Sequence, residues 1–545
     1  MRRFLTARWP VLTGAAATIA YGVAVLGFGL VFRPLHNDEG VTLEVASHVS
    51  AHQVLDIAVN YRHGPPLHYL LVHASLLWRD DMLGLRLPSA LLGILAVALA
   101  YGFGRELLGR YGGAPVAVIV ATSPVVVHLG QFARGYTAML AASFGSLWLL
   151  LVLLRTRRAR YIAPYALSAL LLAAAHPFGL FALASELVIL ALLGIAPLVV
   201  RWREQRRALV TLAAALLAAA VALAALWHVY AQLQTKYGVG AGSAVIQPAS
   251  SEFWRRLGDA WSGSSVALAG LSLAAVTVAG LIVLLVRDRR AGVVVAVWLV
   301  QPIASLAVLT ATSQDFAPER HLSFLIPGYA AAMAGFLFEL ARRLGRRGPW
   351  LALVLGAALV APGVVALVDD IGTFTPDLRD ASLYLGANFG QGDVLLSTGG
   401  VPEHGVDPRL YGAYAALEAP AGSQLAGWQD VGQESQCNLV ETLAQRPVPD
   451  GAWLMLRSPD PYTLGVRLGL LGFQDIREFG QYVVARFPLH RHTTAAALSA
   501  GLRGYRAAKL LSPDIGDFKE LVSTYRLARA EARSSAVCQP AGTVS

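Results

Sequence analysis

Stretches of about twenty apolar residues recur along the first 368 residues of this 545-residue chain, and no other feature limits its fold so strongly. A segment of that length and character crosses a bilayer only as a helix, which satisfies its backbone N–H and C=O groups internally. Eleven candidate spans can be marked: 10–32, 84–104, 113–129, 135–154, 161–175, 177–200, 208–230, 264–286, 291–312, 321–341 and 349–368. Composition agrees, since 56% hydrophobic and 14% charged side chains with a mean hydropathy of +0.54 are too apolar for a soluble chain of this length. The first run is longer than a signal-peptide core and lacks a small-residue cleavage site, so it is expected to remain as a membrane helix.

The net charge of +10 does not point to nucleic acid, because the basic residues sit in short clusters between apolar runs. Twenty arginines fall on one side of the expected topology, including Arg155, Arg157, Arg158 and Arg160 and then Arg201, Arg203, Arg206 and Arg207, against nine Lys and Arg on the other. By the positive-inside rule the N-terminus is cytoplasmic, and an odd number of spans leaves everything after Val368 extracytoplasmic. Arg supplies 41 of the 44 basic side chains, a GC-rich coding bias that suggests a bacterial plasma membrane.

Two domains are expected, a transmembrane domain over 1–368 and an extracytoplasmic α/β domain over 369–545. The tail opens with Asp369, Asp370, Asp377 and Asp380, then carries short β-type runs at Val394–Leu396, Trp453–Leu456 and Tyr482–Phe487. Helical stretches lie near 377–389 and 436–445, and two amphipathic helices at 494–511 and 516–533 close the chain. Cys437 and Cys538 show no metal-site spacing. As a disulfide they would close a loop of about 100 residues, for roughly 4–5 kcal/mol in the chain-entropy model; as unrelated thiols they would do nothing of the kind.

Sorting polar residues by expected side is the most informative step. All thirteen histidines fall outside or at outer helix ends, which suggests one polar cavity there. The first outer loop, 33–83, is too long for a plain connector and begins HNDEG, placing Asp38 and Glu39 just past the first span. A carboxylate at that depth can act as a general base toward a substrate hydroxyl, and it also favours a helix N-terminus. Further on, Glu44, His48 and His52 recur every fourth residue opposite Val41, Val45 and Val49, as on an interfacial amphipathic helix. Both a solvated face and a divalent-metal site are open for that stripe. His63 stands before Pro65 and Pro66 in RHGPPLHYLL, Arg134 opens the fourth span in QFARGY, and Arg320 with His321 opens the tenth in PERHLSF. Helix N-termini reinforce such cations as anion sites, although each alone also reads as a snorkelling side chain. His176 lies between the fifth and sixth spans in AHPFGLF, where it reads equally as a satisfied buried histidine and as a further residue of the same polar site.

In this order and with this common sidedness, the motifs resemble those of the GT-C membrane glycosyltransferases, of the protein-mannosyltransferase and aminoarabinose-transferase type. The resemblance covers about residues 10–368 and implies a polytopic α-helical fold of about eleven transmembrane helices. It implies a sugar donor linked to polyprenyl phosphate, with Asp38 at the position of the catalytic aspartate and Glu39 as its companion. Arg134, Arg320 and His63 are then expected around the donor, with His321 beside Arg320 and His176 as further candidates from their position, the acceptor being a cell-envelope glycan, glycolipid or protein. Some relatives use a metal, so a divalent ion stays open as cofactor. The competing class is a lipid-linked sugar flippase or transporter, which expects polar groups at mid-membrane, whereas runs such as 265–286 and 349–368 are apolar throughout. A scaffolding membrane protein would leave the polar constellation unexplained.

Overall fold

The long apolar runs become helices in the computed structural model, which describes residues 2–27, 30, 37–61, 65–195, 210, 213, 217, 251–262, 267–311, 319–372, 377–388, 394–396, 451–457, 461–470, 473–480 and 482–488. Two compact units result, one of Met1–Val31 with Val45–Thr373 and one of Phe32–Glu44 with Phe374–Ser545. The short segment that carries Asp38 and Glu39 thus groups with the C-terminal residues.

The first unit is helical. It contains α1 (Arg2–Gly27), most of the loop helices α2 (Asn37–Ala46, shared with the second unit), α3 (Ala51–Asp56) and α4 (Pro66–Trp78), then α5 (Met82–Leu108) at its centre, packed on α1 and α4. Next come α6 (Gly113–Ala121), α7 (Pro124–Gly130), α8 (Tyr136–Thr156), α9 (Ile162–Ala175) and α10 (Gly179–Ile189). After the described helix α11 (Ser251–Ser262) follow α12 (Ala267–Arg287), α13 (Arg289–Ala311), α14 (Ile326–Arg343) and α15 (Gly348–Gly372). Each expected span but 208–230, which lies almost wholly outside the described residues, overlaps one or more of these helices. By length and composition five described helices can cross a bilayer, or six if the bent pair α6 and α7 is one span, and four apolar helices are shorter. The chain is a multi-pass membrane protein, and α12 leaves Leu268, Leu271, Val278, Ile282 and Val286 exposed.

The expected continuous span 113–129 is instead bent by 66° between α6 and α7. Pro124 provides no N–H and holds Ser123 extended at φ −71°, ψ 120°, while the Thr122 hydroxyl donates to the Val118 carbonyl at 2.7 Å. Small residues permit close approach elsewhere: a Cβ on Gly280 of α12 would sit 1.9 Å from the Ala332 carbonyl oxygen of α14.

One buried cation fixes how the first loop departs. Arg86 of α5 is fully buried and donates from Nη1 to the Leu30 carbonyl at 2.9 Å, capping the chain where α1 has ended. Arg86→Met is expected to leave that carbonyl without its donor, a cost of about 1–3 kcal/mol read as a lower Tm of the purified protein.

In the second unit a four-stranded sheet has the order β1 (Val394–Leu396), β2 (Gly451–Arg457), β4 (Tyr482–Pro488), β3 (Gln474–Phe479). β1 and β2 are parallel, with Leu395 opposite Trp453, and the other pairs are antiparallel. Helix α16 (Asp377–Asn388) buries Ala381 and Leu385 and sets Tyr384 against Phe479 and Trp453, at ring separations of 5.4 and 6.3 Å. Helix α17 (Pro461–Leu470) packs on β3 and β4. The three expected strands are present. The fourth, β3, went unread because Gln474, Asp475, Arg477 and Glu478 give it an edge strand's polar surface, with a bulge where Asp475 takes φ 49°. The stretches 436–445, 494–511 and 516–533, and Cys437 and Cys538, lie outside the described residues.

Candidate active site

Asp38 and Glu39 occupy the first turn of α2, where the helix N-terminus favours carboxylates. Asp38 is half-buried and its backbone carbonyl accepts from the Thr42 hydroxyl at 3.1 Å, whereas Glu39 is buried. Two adjacent carboxylates therefore have different surroundings, as their angular offset on a helix requires.

The single amphipathic helix expected through Glu44, His48 and His52 does not form. Chain from Ser47 to Ser50 breaks it, and the Ser50 hydroxyl accepts from the Gln53 N–H at 3.3 Å to start α3 afresh. Val45 is buried but Val49 is 91% exposed, so the apolar stripe is interrupted as well. Among the described residues no group of three or more His, Cys, Asp and Glu side chains is placed to hold a metal ion.

In the first unit the polar residues converge on the loop between α7 and α8. The Arg134 guanidinium donates from Nη1 to the Tyr69 hydroxyl of α4 at 3.3 Å, and its carbonyl accepts from Ser89 of α5 at 3.4 Å. Gly135 lies so close to the end of α9 that a Cβ there would be 2.3 Å from the Ala175 carbonyl oxygen. Next along, His176 is extended (φ −162°, ψ 145°), accepts on Nδ1 from the Phe178 N–H at 3.2 Å, and lies 5.0 Å ring to ring from Tyr136.

Rings continue from there. His128, Phe132, Tyr136, His176, Phe178, Phe181 and Phe324 follow one another with centroids 5.0 to 6.5 Å apart. Phe324 belongs to the 3-10 helix Glu319–Leu325 that also carries Arg320 and His321, and its carbonyl accepts from Trp298 Nε1 at 2.8 Å. The aromatic row thus joins the Arg134 loop to the helical turn of the late Arg-His pair. His63 lies outside the described residues.

Two residues of this cluster were not singled out from the sequence. Tyr69 holds Arg134, and His68 is buried beside it with neither ring nitrogen in a hydrogen bond of normal geometry. Burial first, and the Arg134 charge second, push the His68 imidazole down to about 3, against a weak opposing pull from the Ala133 backbone. An unfolded histidine protonates near 6.5, so between those values the unfolded chain binds more protons and stability falls as the pH drops. The loss from this one group is about 2 kcal/mol by pH 5. His68→Phe, which removes the titration and no hydrogen bond, is expected to flatten the fall of Tm between pH 7 and 5 in melts of the purified protein.

No family model matches the sequence, and no curated protein does. Solved structures do. ArnT from Cupriavidus metallidurans in the apo state shares the fold at a TM-score of 0.50 and 16% identity, covering 88% of this chain and 97% of its own. The fold is that of the GT-C glycosyltransferases. The same ArnT bound to undecaprenyl phosphate aligns equally well, at a TM-score of 0.50 and 15% identity over 88% of this chain and 98% of that one. Within this fold α2, with Asp38 and Glu39, opens the loop after the first long helix, and the Arg134 cluster is assembled from the helices that follow.

Proposed function

We propose that this chain is an integral-membrane glycosyltransferase that moves a sugar from a polyprenyl-phosphate carrier to an extracytoplasmic acceptor hydroxyl, on a cell-envelope glycan, glycolipid or protein. The observation that carries this reading is the match to ArnT over nearly its whole length, one of the two structures being bound to undecaprenyl phosphate. The motif order found in the sequence supports it independently.

In this reading Asp38 accepts the proton of the acceptor hydroxyl as its oxygen attacks C1 of the sugar. The bond from C1 to the phosphate oxygen breaks and polyprenyl phosphate leaves. Arg134, Arg320 and His321 stabilise the departing anion in a site of low dielectric, with His63 and His176 contributing to donor binding. Glu39, buried one residue away, shapes the base's surroundings. The N-terminus faces the cytoplasm of a bacterial cell and the C-terminal unit faces out.

One observation favours the flippase alternative. Glu186 of α10 is buried within the helical bundle, accepts from Ser146 of α8 and has Tyr165 of α9 beside it, and next to it Ser185 donates to Gln301 of α13 at 2.6 Å. Ionisable groups at such depth mark pathways in transporters, and they also bind helices to one another. Proteoliposomes loaded with acceptor and supplied with radiolabelled polyprenyl-phosphate sugars separate the two readings: label on the acceptor supports the transferase, whereas carrier moved across the bilayer with its sugar intact supports the flippase.

A further inference from the structure

Far along the chain from Asp38 and Arg134, the last turns of α12 and α14 bring three arginines onto one carboxylate. Glu339 is buried, and its Oε1 accepts from Arg287 Nη2 at 3.2 Å, from Arg342 Nη2 at 2.8 Å and from Arg343 Nε, while Oε2 accepts from Arg342 Nε at 2.8 Å. One negative charge thus gathers three positive ones from two helices. The nearest other carboxylate in sequence, Asp288, accepts from the Ala291 N–H at the start of α13.

Tying α12 to α14 needs a single arginine. Three cations around one anion leave two charges uncompensated and repelling, a cost that an external anion relieves. The guanidiniums can receive one, since each has five N–H donors and the three side chains keep 50%, 58% and 65% of their surface exposed. Their depth is set by their neighbours: Val286, just before Arg287, is 76% exposed, and Leu344, just after Arg343, is exposed with Trp350 beyond it. Large apolar side chains open to the surroundings beside arginines and a tryptophan mark the boundary between hydrocarbon and headgroups.

We infer that Arg287, Arg342 and Arg343, organised by Glu339, form a binding site for the phosphate of an anionic phospholipid headgroup in the leaflet where α12 and α14 end. The shared chemistry is a phosphate group held by charge-assisted bonds from planar guanidinium forks. The site does not depend on the transfer reaction.

The test uses the full chain purified in mild detergent, titrated with phosphatidylglycerol or phosphatidylcholine and read by native mass spectrometry and by Tm. Phosphatidylglycerol is expected to bind and raise the Tm where phosphatidylcholine does not, and Arg342→Gln with Arg343→Gln to weaken it by about 30-fold. Melting of the double variant in phosphatidylcholine nanodiscs checks that it folds; should it not, Arg287→Gln on the other helix is expected to weaken binding by about 5-fold. Inorganic phosphate at the lipid's concentration is expected not to displace it, which identifies the source as lipid. Equal binding of the two lipids, undiminished selectivity in the folded variants, or full displacement by inorganic phosphate would each overturn the inference.

Discussion

Asp38→Asn is expected to lower the rate of sugar transfer by about 10²–10⁴-fold, the usual contribution of a general base, while donor binding stays within a factor of two or so. The amide has the carboxylate's shape and cannot take the proton. The bond that ties this turn of α2, from Thr42 to the Asp38 backbone carbonyl, is untouched by the change, so the helix start is retained. Purified protein in nanodiscs with a radiolabelled polyprenyl-phosphate sugar gives both readings, transfer from product and binding from retained donor. Transfer at the wild-type rate by the Asn variant would remove Asp38 from its role, and lost donor binding would make it a binding residue.

Arg134→Gln is expected to cost about 10²–10³-fold in kcat, the scale of losing one preorganised group that stabilises developing charge. The side chain is half-buried, so its charge acts through less water than a surface arginine's would. Tyr69→Phe provides the graded control: it removes the 3.3 Å bond that orients the guanidinium and keeps the charge, so its loss is expected to be smaller and confined to kcat. Arg134→Lys restores the charge without the planar fork, and a partial rescue is expected. If Arg134→Gln transfers sugar normally, the aromatic-lined cluster around α4, α8 and α9 is structural.

Much of this was legible in the chain itself, for reasons that differ from element to element. Helices came from apolar length, since a bilayer accepts little else. The acidic pair at the head of α2 came from its place just beyond the first apolar run. β2 and β4 came from apolar runs around Trp453 and Val484, whereas β3, with four polar residues in six, offered none. The break at Thr122–Pro124 was written in the sequence as a proline after a serine, yet the apolar run around it read as continuous. The stripe of Glu44, His48 and His52 had helical period, and local capping by Ser50 overrode it.

By itself, then, the sequence determined what depends on neighbours along the chain: the apolar spans, the carboxylates that open α2 and the expectation of a membrane enzyme. Only the tertiary structure decided which distant groups meet. Arg134 finds Tyr69 across 65 positions, Arg86 finds Leu30 across 56, and Glu339 gathers Arg287 across 52. No periodicity encodes those pairings, because they are set by which helix faces pack together, and in lipid that choice rests on close approach of small residues and on polar groups that must find partners inside the bundle.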